Sequence, residues 1–167
     1  MYEVEVRSLL TKEKYEELLL YFQKSAQFLN EDEQTTFYFK APADLRLQQN
    51  RFNTKLIVKK GEIHDMIKEE VEVEFARDDF LKMHELLTAL GYELLIKWFR
   101  KRFSFRWEDV LVTIDDTRGY GFIIELEKTC GLGEKDQVLE KLKEKLFLLK
   151  ITLTPKQEFD AKFEDYK

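Results

Sequence analysis

The sequence predicts an α+β fold in which seven or eight antiparallel strands are accompanied by two long internal helices and a helical tail. Three observations predict it. Stretches of apolar/polar alternation recur along the chain and are joined by short turns. Two stretches between them, residues 12–22 and 80–90, place their apolar residues at helical spacing instead. No low-complexity linker divides the 167 residues, a length that suits one domain, and 44% hydrophobic residues with 14 Phe supply a core.

The chain opens on Tyr2-Glu3-Val4-Glu5-Val6-Arg7, where strand alternation puts Glu3, Glu5 and Arg7 on one face and Tyr2, Val4 and Val6 on the other. Thr11 suits the N-cap of the first helix, whose apolar face is Tyr15, Leu18, Leu19 and Phe22. Residues 30–34, Asn-Glu-Asp-Glu-Gln, read as a polar, turn-rich connection before a strand over 35–40, and Pro42 marks a loop. Residues 44–49 and 54–60, joined by Asn50-Arg51-Phe52-Asn53, read as a hairpin. Arg46 and Gln48 share a face in its first arm, and Lys55, Ile57 and Lys59 share one in its second. After Gly61, residues 70–75 repeat the opening design, with Glu70, Glu72 and Glu74 opposite Val71, Val73 and Phe75. Asp78 or Asp79 then caps a helix that Gly91 ends.

From 92 to 107 the chain is rich in aromatics and cations. Trp98, Arg100, Arg102, Ser104 and Arg106 fall on one face and Lys97, Phe99, Lys101, Phe103 and Phe105 on the other, and alternation alone does not say which set turns inward. A strand over 110–115 and a glycine-bearing loop over 116–121 lead to a strand with Glu125 and Glu127 on one face. Helices over 135–149 and 156–163 follow, with Pro155 opening the second. Antiparallel neighbours on short turns predict a meander that can close into a barrel. Its charged faces either meet water, with helices behind the sheet, or surround a wet lumen in which acids are balanced by cations, metals or ligand.

The net charge of −5 argues against a nucleic-acid partner, because phosphate neutralisation calls for a basic face. Cys130 is the single cysteine and fits a reducing cytoplasm. No charged-then-apolar leader and no run of about 18 apolar residues stands in the chain, so the expectation is a cytoplasmic protein without a membrane partner. Neither His64 nor His84 has a second His or Cys at ligand spacing, so both are expected to be structural or surface residues and zinc is not expected. Carboxylate clusters suit hard ions such as Mg²⁺ or Mn²⁺, whereas Arg forks and Lys ammonium groups suit phosphate oxygens. Both sets around one lumen would suit a polyanion. Walker-type glycine loops, Gly-x-Ser-x-Gly and Cys-His nucleophile pairs are missing from the sequence, and phosphoryl chemistry requires none of them.

These residues, taken in order, resemble the CYTH superfamily, the triphosphate tunnel metalloenzymes that include class IV adenylate cyclases, thiamine triphosphatases and inorganic tripolyphosphatases. Glu3-Val4-Glu5-Val6-Arg7 resembles the family's Glu-x-Glu-x-Lys. Asp115, Gly119, Gly121, Glu125 and Glu127 resemble its closing motif, Lys59 its strand lysine, Glu70 and Glu72 its middle acidic pair, and Arg100-Lys101-Arg102 its basic strand. The likeness covers roughly residues 1–130, with 131–167 left as C-terminal helices of the same single domain, 1–167. Two positions depart from the pattern: Arg7 stands for lysine, and Arg46-Leu47-Gln48 carries one arginine where the family has two.

The resemblance implies an eight-stranded antiparallel tunnel-like β-barrel with helices packed outside. It implies Mg²⁺ or Mn²⁺ held by Glu3, Glu5, Glu125 and Glu127 with help from Asp115 and Glu72. Phosphates would be held by Arg7, Arg46, Lys59, Arg100 and Arg102, with Lys55 as a further candidate, and catalysis would be carried by Glu3, Glu5, Arg7 and Lys59. The expected activity is metal-dependent hydrolysis of a triphosphate, by a monomer or a homodimer. A class IV adenylate cyclase is the alternative, and a non-catalytic polyphosphate- or nucleotide-binding module, motivated by Arg7 and Gln48, is the third.

Overall fold

The computed structural model describes residues 2–61 and 63–167; Met1, with which the opening stretch begins, and Glu62 lie outside the described residues. Eight strands, β1 (Tyr2–Leu10), β2 (Gln27–Lys40), β3 (Asp44–Gln49), β4 (Thr54–Lys60), β5 (Ile67–Phe75), β6 (Glu93–Trp107), β7 (Val110–Thr117) and β8 (Gly121–Cys130), close into one antiparallel ring. The order around it is β1-β5-β4-β3-β2-β6-β7-β8. The simple meander expected from the short turns is therefore broken in two places. Strands β2 to β5 and β6 to β8 are each meanders, β2 pairs β6, and β1 closes the ring between β5 and β8.

Closure resolves which way the alternating faces point. The apolar faces of β1, β6, β7 and β8 turn outward, where Val4, Val6, Phe105, Val112, Ile114 and Leu126 pack under α1 (Lys12–Ser25) and α3 (Lys135–Leu148). Leu18 and Phe22 of α1 and Val138, Leu142 and Leu146 of α3 complete that cluster. Helix α2 (Phe80–Ala89) covers Phe37, Phe39, Leu45 and Leu47 of β2 and β3 through Phe80 and Leu87. The hydrophobic core thus lies outside the barrel wall, and each fully buried aliphatic side chain there is worth about 1.5–3 kcal/mol. The charged faces are what remains for the inside.

Local signals hold at most boundaries. The Thr11 hydroxyl accepts from Lys14 N at 3.1 Å and caps α1. Asn50 Oδ1 accepts from the amides of Phe52 and Asn53, each at 2.8 Å, and closes the β3–β4 turn. Gly119 and Gly121 take φ of 72° and 134° in the β7–β8 turn, a region that favours residues without Cβ. Residues 30–34 are not a connection, however: β2 is continuous from Gln27, with a register shift between Phe28 and Asn30. Their polarity suits a strand here because Gln34 and Asp32 stand opposite Arg100 and Arg102, while Glu31 pairs with Lys101 at 2.9 Å. Turn propensity loses to cross-strand charge pairing.

The tail turns back over the barrel. Ser8 Oγ donates to Thr152 O and accepts from Thr154 N, at 2.9 and 3.2 Å, and so pins the end of β1 to the segment before α4 (Lys156–Tyr166). Phe159 and Phe163 of α4 then insert among Tyr38, Trp98, Tyr120 and Ile123, the residues at one end of the barrel. No helix among the described residues is long and apolar enough to cross a membrane.

Candidate active site

The lumen is a cavity of about 220 Å³ lined by charged or polar side chains from every strand except β7, which contributes only Leu111. Strand β1 contributes Glu3, Glu5 and Arg7; β3 contributes Arg46 and Gln48; β4 contributes Lys55 and Lys59; β5 contributes Glu70 and Glu72. Arg100 and Arg102 enter from β6, and Glu125 and Glu127 from β8. The α4 side chains Phe159 and Phe163, with His64, line the end that the tail covers.

Two kinds of charge cluster divide this space. In the first, Glu3, Glu5 and Glu127 bring carboxylate oxygens within 4.8 Å of one another. The β1–β8 register causes this by setting Glu5 directly opposite Glu127. Lys59 donates to Glu3 and also pairs with Glu70 at 3.4 Å, while Arg7 donates to Glu5. Burial, then the neighbouring Glu127 charge, push the Glu3 carboxyl up to about 9 against the pull of Lys59. Burial and Glu5 likewise push Glu127 up to about 7. Burial would raise Glu5 too, but Arg7 and then Lys59 hold it well below the usual carboxylate range. Two buried acids and the half-buried Glu127 thus share too little positive charge for all to ionise comfortably. Their donors are all oxygen, so a hard divalent cation fits both the chemistry and the missing charge.

The second cluster is saturated by guanidinium groups. Asp115 is fully buried and accepts in parallel from Arg102 Nε at 2.7 Å and Nη2 at 2.8 Å, with Arg100 Nη1 at 3.3 Å. Arg102 Nη2 also reaches Glu125 at 3.3 Å, and Arg100 Nε donates to Gln34 at 2.6 Å. Burial and Glu5 would raise Glu125, but Arg102, Arg7 and Arg100 bring it below its ordinary value.

Of the six residues the resemblance implied as metal ligands, the fold brings Glu3, Glu5 and Glu127 into one oxygen cluster. Asp115 and Glu125 lie among the arginines, and Glu72 lies toward the rim, paired with Lys55 at 3.0 Å. The implied phosphate residues Arg7, Arg46, Lys55, Lys59, Arg100 and Arg102 all line the same cavity.

Several residues of the site went unnoticed in the sequence. Asp44 accepts from Arg46 Nε at 2.8 Å and Nη2 at 2.6 Å, and its Oδ2 also accepts from Lys68 Nζ at 3.1 Å. Both had a legible signal, since Asp44 is in phase with Arg46 and Lys68 is in phase with Glu70 and Glu72. Tyr38, whose ring lies 4.9 Å beneath the Arg46 guanidinium, is in phase with Gln34 but no spacing connects it to β3. His64 sits in a loop as expected, yet it is buried, meets Asp160 at 2.5 Å and packs on Phe159 and Phe163. Burial, then the Arg7 charge, push its ring down to about 4. His84 packs its ring against Phe37 and Phe39 under α2, a structural place.

Comparison with known proteins adds four findings. The family model described as the CYTH domain matches residues 1–163. A protein of Methanocaldococcus jannaschii, named provisionally as an adenylate cyclase, is 32% identical over 109 residues, or 65% of this chain; the aligned stretch spans 62% of that protein's length. A conserved Pyrococcus furiosus protein of hypothetical function shares the fold at TM-score 0.77 and 24% identity, over 90% of this chain and 91% of its own. A Hippeastrum protein, described as a provisional adenylyl cyclase with a dominant triphosphatase activity, matches at TM-score 0.62 and 18% identity, over 90% and 88% of the two chains.

Proposed function

The chain belongs to the CYTH domain family, and we propose that it is a metal-dependent hydrolase of a small triphosphate held in the barrel lumen. The observation that carries this reading is the adjacency, in one cavity, of an under-compensated oxygen cluster (Glu3, Glu5, Glu127) and a set of cations (Arg7, Arg46, Lys59, Arg100, Arg102). In this reading Glu3, Glu5 and Glu127 hold Mg²⁺ or Mn²⁺, which when bound supplies charge neutralisation and a more acidic water.

The chain's own residues do the rest. Arg100 and Arg102 are locked by Asp115 and present rigid forks, so they can orient phosphoryl oxygens without first losing much rotamer freedom. Lys59 and Arg7, each now paired with a cluster carboxylate, would turn toward phosphate as that carboxylate engages a cation. Glu125 stays ionised among its arginines and keeps their positions. Phe159 and Phe163 keep water from one end. At the other rim Asn50, Asn53, Lys55 and Glu72 offer polar contacts, which suits an inorganic tripolyphosphate or the polar part of a nucleotide. Such substrates belong to a cytoplasmic setting.

A second reading, cyclisation of ATP to cyclic AMP and pyrophosphate, is favoured by the name of the Methanocaldococcus relative. One experiment separates them. The purified protein is incubated with tripolyphosphate, and separately with ATP, with Mg²⁺ or Mn²⁺, and the products are chromatographed. Orthophosphate release is expected; cyclic AMP plus pyrophosphate transfers the assignment to the cyclase, and turnover of neither substrate with either metal overturns both.

A further inference from the structure

Among the lumen cations, Arg46 is engaged by its own strand. Its Nε and Nη2 donate in parallel to the two oxygens of Asp44, at 2.8 and 2.6 Å. A guanidinium forked onto a carboxylate in this way is held rigidly, but the carboxylate offsets its charge and so weakens, without abolishing, its attraction for phosphate. Asp44 is buried, so water does little to weaken the cancellation.

A third member changes the sum. Lys68 Nζ donates to the same Asp44 Oδ2 at 3.1 Å and to the carbonyl of Ile63. Two cations share one anion, and the group carries a net +1. Lys68 is 2% exposed and stands behind the carboxylate, whereas Arg46 lines the cavity. The surplus charge therefore reaches the lumen through Arg46. Of the five guanidinium N–H groups, Asp44 takes two, and the others, with no hydrogen-bond partner among the described residues, can serve a ligand. Tyr38 supports the plane of the guanidinium from one side at 4.9 Å.

Resting on the phosphate-chain reading of the lumen, we propose that Lys68 is a positioning residue: by sharing Asp44 it keeps the fixed Arg46 fork positively charged toward the substrate's phosphates. A purely structural role does not account for the arrangement. Burying an ammonium near the Arg46 and Arg7 charges is unfavourable even with Asp44 and Glu5 close by, and a well-packed apolar residue would stabilise such a site as well or better. Burial, then the Arg46 charge, push Lys68 down to about 8, which still leaves it mainly protonated at neutral pH.

The test measures binding and turnover of tripolyphosphate by the full chain in Mg²⁺, using calorimetry and steady-state kinetics. Lys68→Met is expected to weaken binding and raise KM by about tenfold, the loss of one charge-assisted contact, with kcat within about threefold of wild type. Lys68→Arg is expected to restore both to within about threefold. The double variant Asp44→Asn/Lys68→Met removes the cancelling anion together with the lysine, so binding is expected to recover toward wild type. Should Lys68→Met alone fail to fold, the double variant carries the test, and binding about tenfold weaker than wild type would then overturn the inference. A folded Lys68→Met that binds as wild type, or one that loses kcat at unchanged KM, overturns it as well. Wild-type protein that binds no tripolyphosphate overturns the lumen reading and the inference with it, an outcome distinct from normal wild-type binding with an indifferent Lys68.

Discussion

Strands β1 and β5 are antiparallel neighbours with the same design, Glu-x-Glu on one face and valines on the other, and the fold treats them differently. Val4 and Val6 of β1 are 0% exposed, whereas Val71 and Val73 of β5 are 55% and 60% exposed. Glu3 and Glu5 are buried in the oxygen cluster, while Glu72 pairs with Lys55 near the rim and Glu74 is exposed. The cause is the company each strand keeps. β1 pairs with β8 from Tyr2 to Leu10 and lies beneath α1 and α3. β5 meets β1 over only Tyr2 to Val4, and its outer valines join none of the buried clusters among the described residues. Alternation decides which residues share a face; neighbours decide whether that face is dry.

If the comparison is right, equivalent substitutions in the two strands should give unequal results. The largest difference is expected in turnover: Glu5→Gln should cut metal-dependent triphosphatase activity by about 10² or more, because it removes a cluster oxygen charge and leaves Arg7 without its anionic partner. Comparable rates for Glu5→Gln and wild type would break the assignment of β1 to the site. Next comes stability. Val4→Ala should lower urea unfolding free energy by roughly 2 kcal/mol through a buried cavity, and Val71→Ala by less than about 0.5 kcal/mol.

A third expectation concerns pH. Glu3 and Glu127 are raised to about 9 and 7, so the folded protein retains protons that the unfolded chain sheds near its ordinary value of 4.5. Without metal, their contribution to stability is present at low pH and is lost as pH rises through about 7 and then 9. Melting followed from pH 6 to 9 should show that decline on a chelated sample and a reduced one with Mn²⁺, since a bound cation favours the ionised acids. A flat profile in chelator would mean that the cluster is already compensated. The smallest effect is expected at the rim of β5, where Glu74→Gln should change turnover by less than about twofold.

The chain's own order of residues determined a great deal. Alternation assigned the faces of most strands but not the start of β2, nor which face of β6 turns inward; Thr11 marked the start of α1, and the ordered charges pointed to a family whose domain spans residues 1–163. These are local properties, fixed by backbone pleat and helix pitch, and they survive whatever the strands pack against. Tertiary structure decided what no local pattern encodes. It turned the charged faces inward, because closure leaves helices only the outside to cover. It set Glu5 opposite Glu127 and assigned Asp115 to the arginines, since register between strands far apart in sequence selects which charges meet. It also drew Asp44, Lys68 and the aromatic residues of α4 to the site, where distance and burial, rather than spacing, give an ordinary acid, lysine or phenylalanine its role.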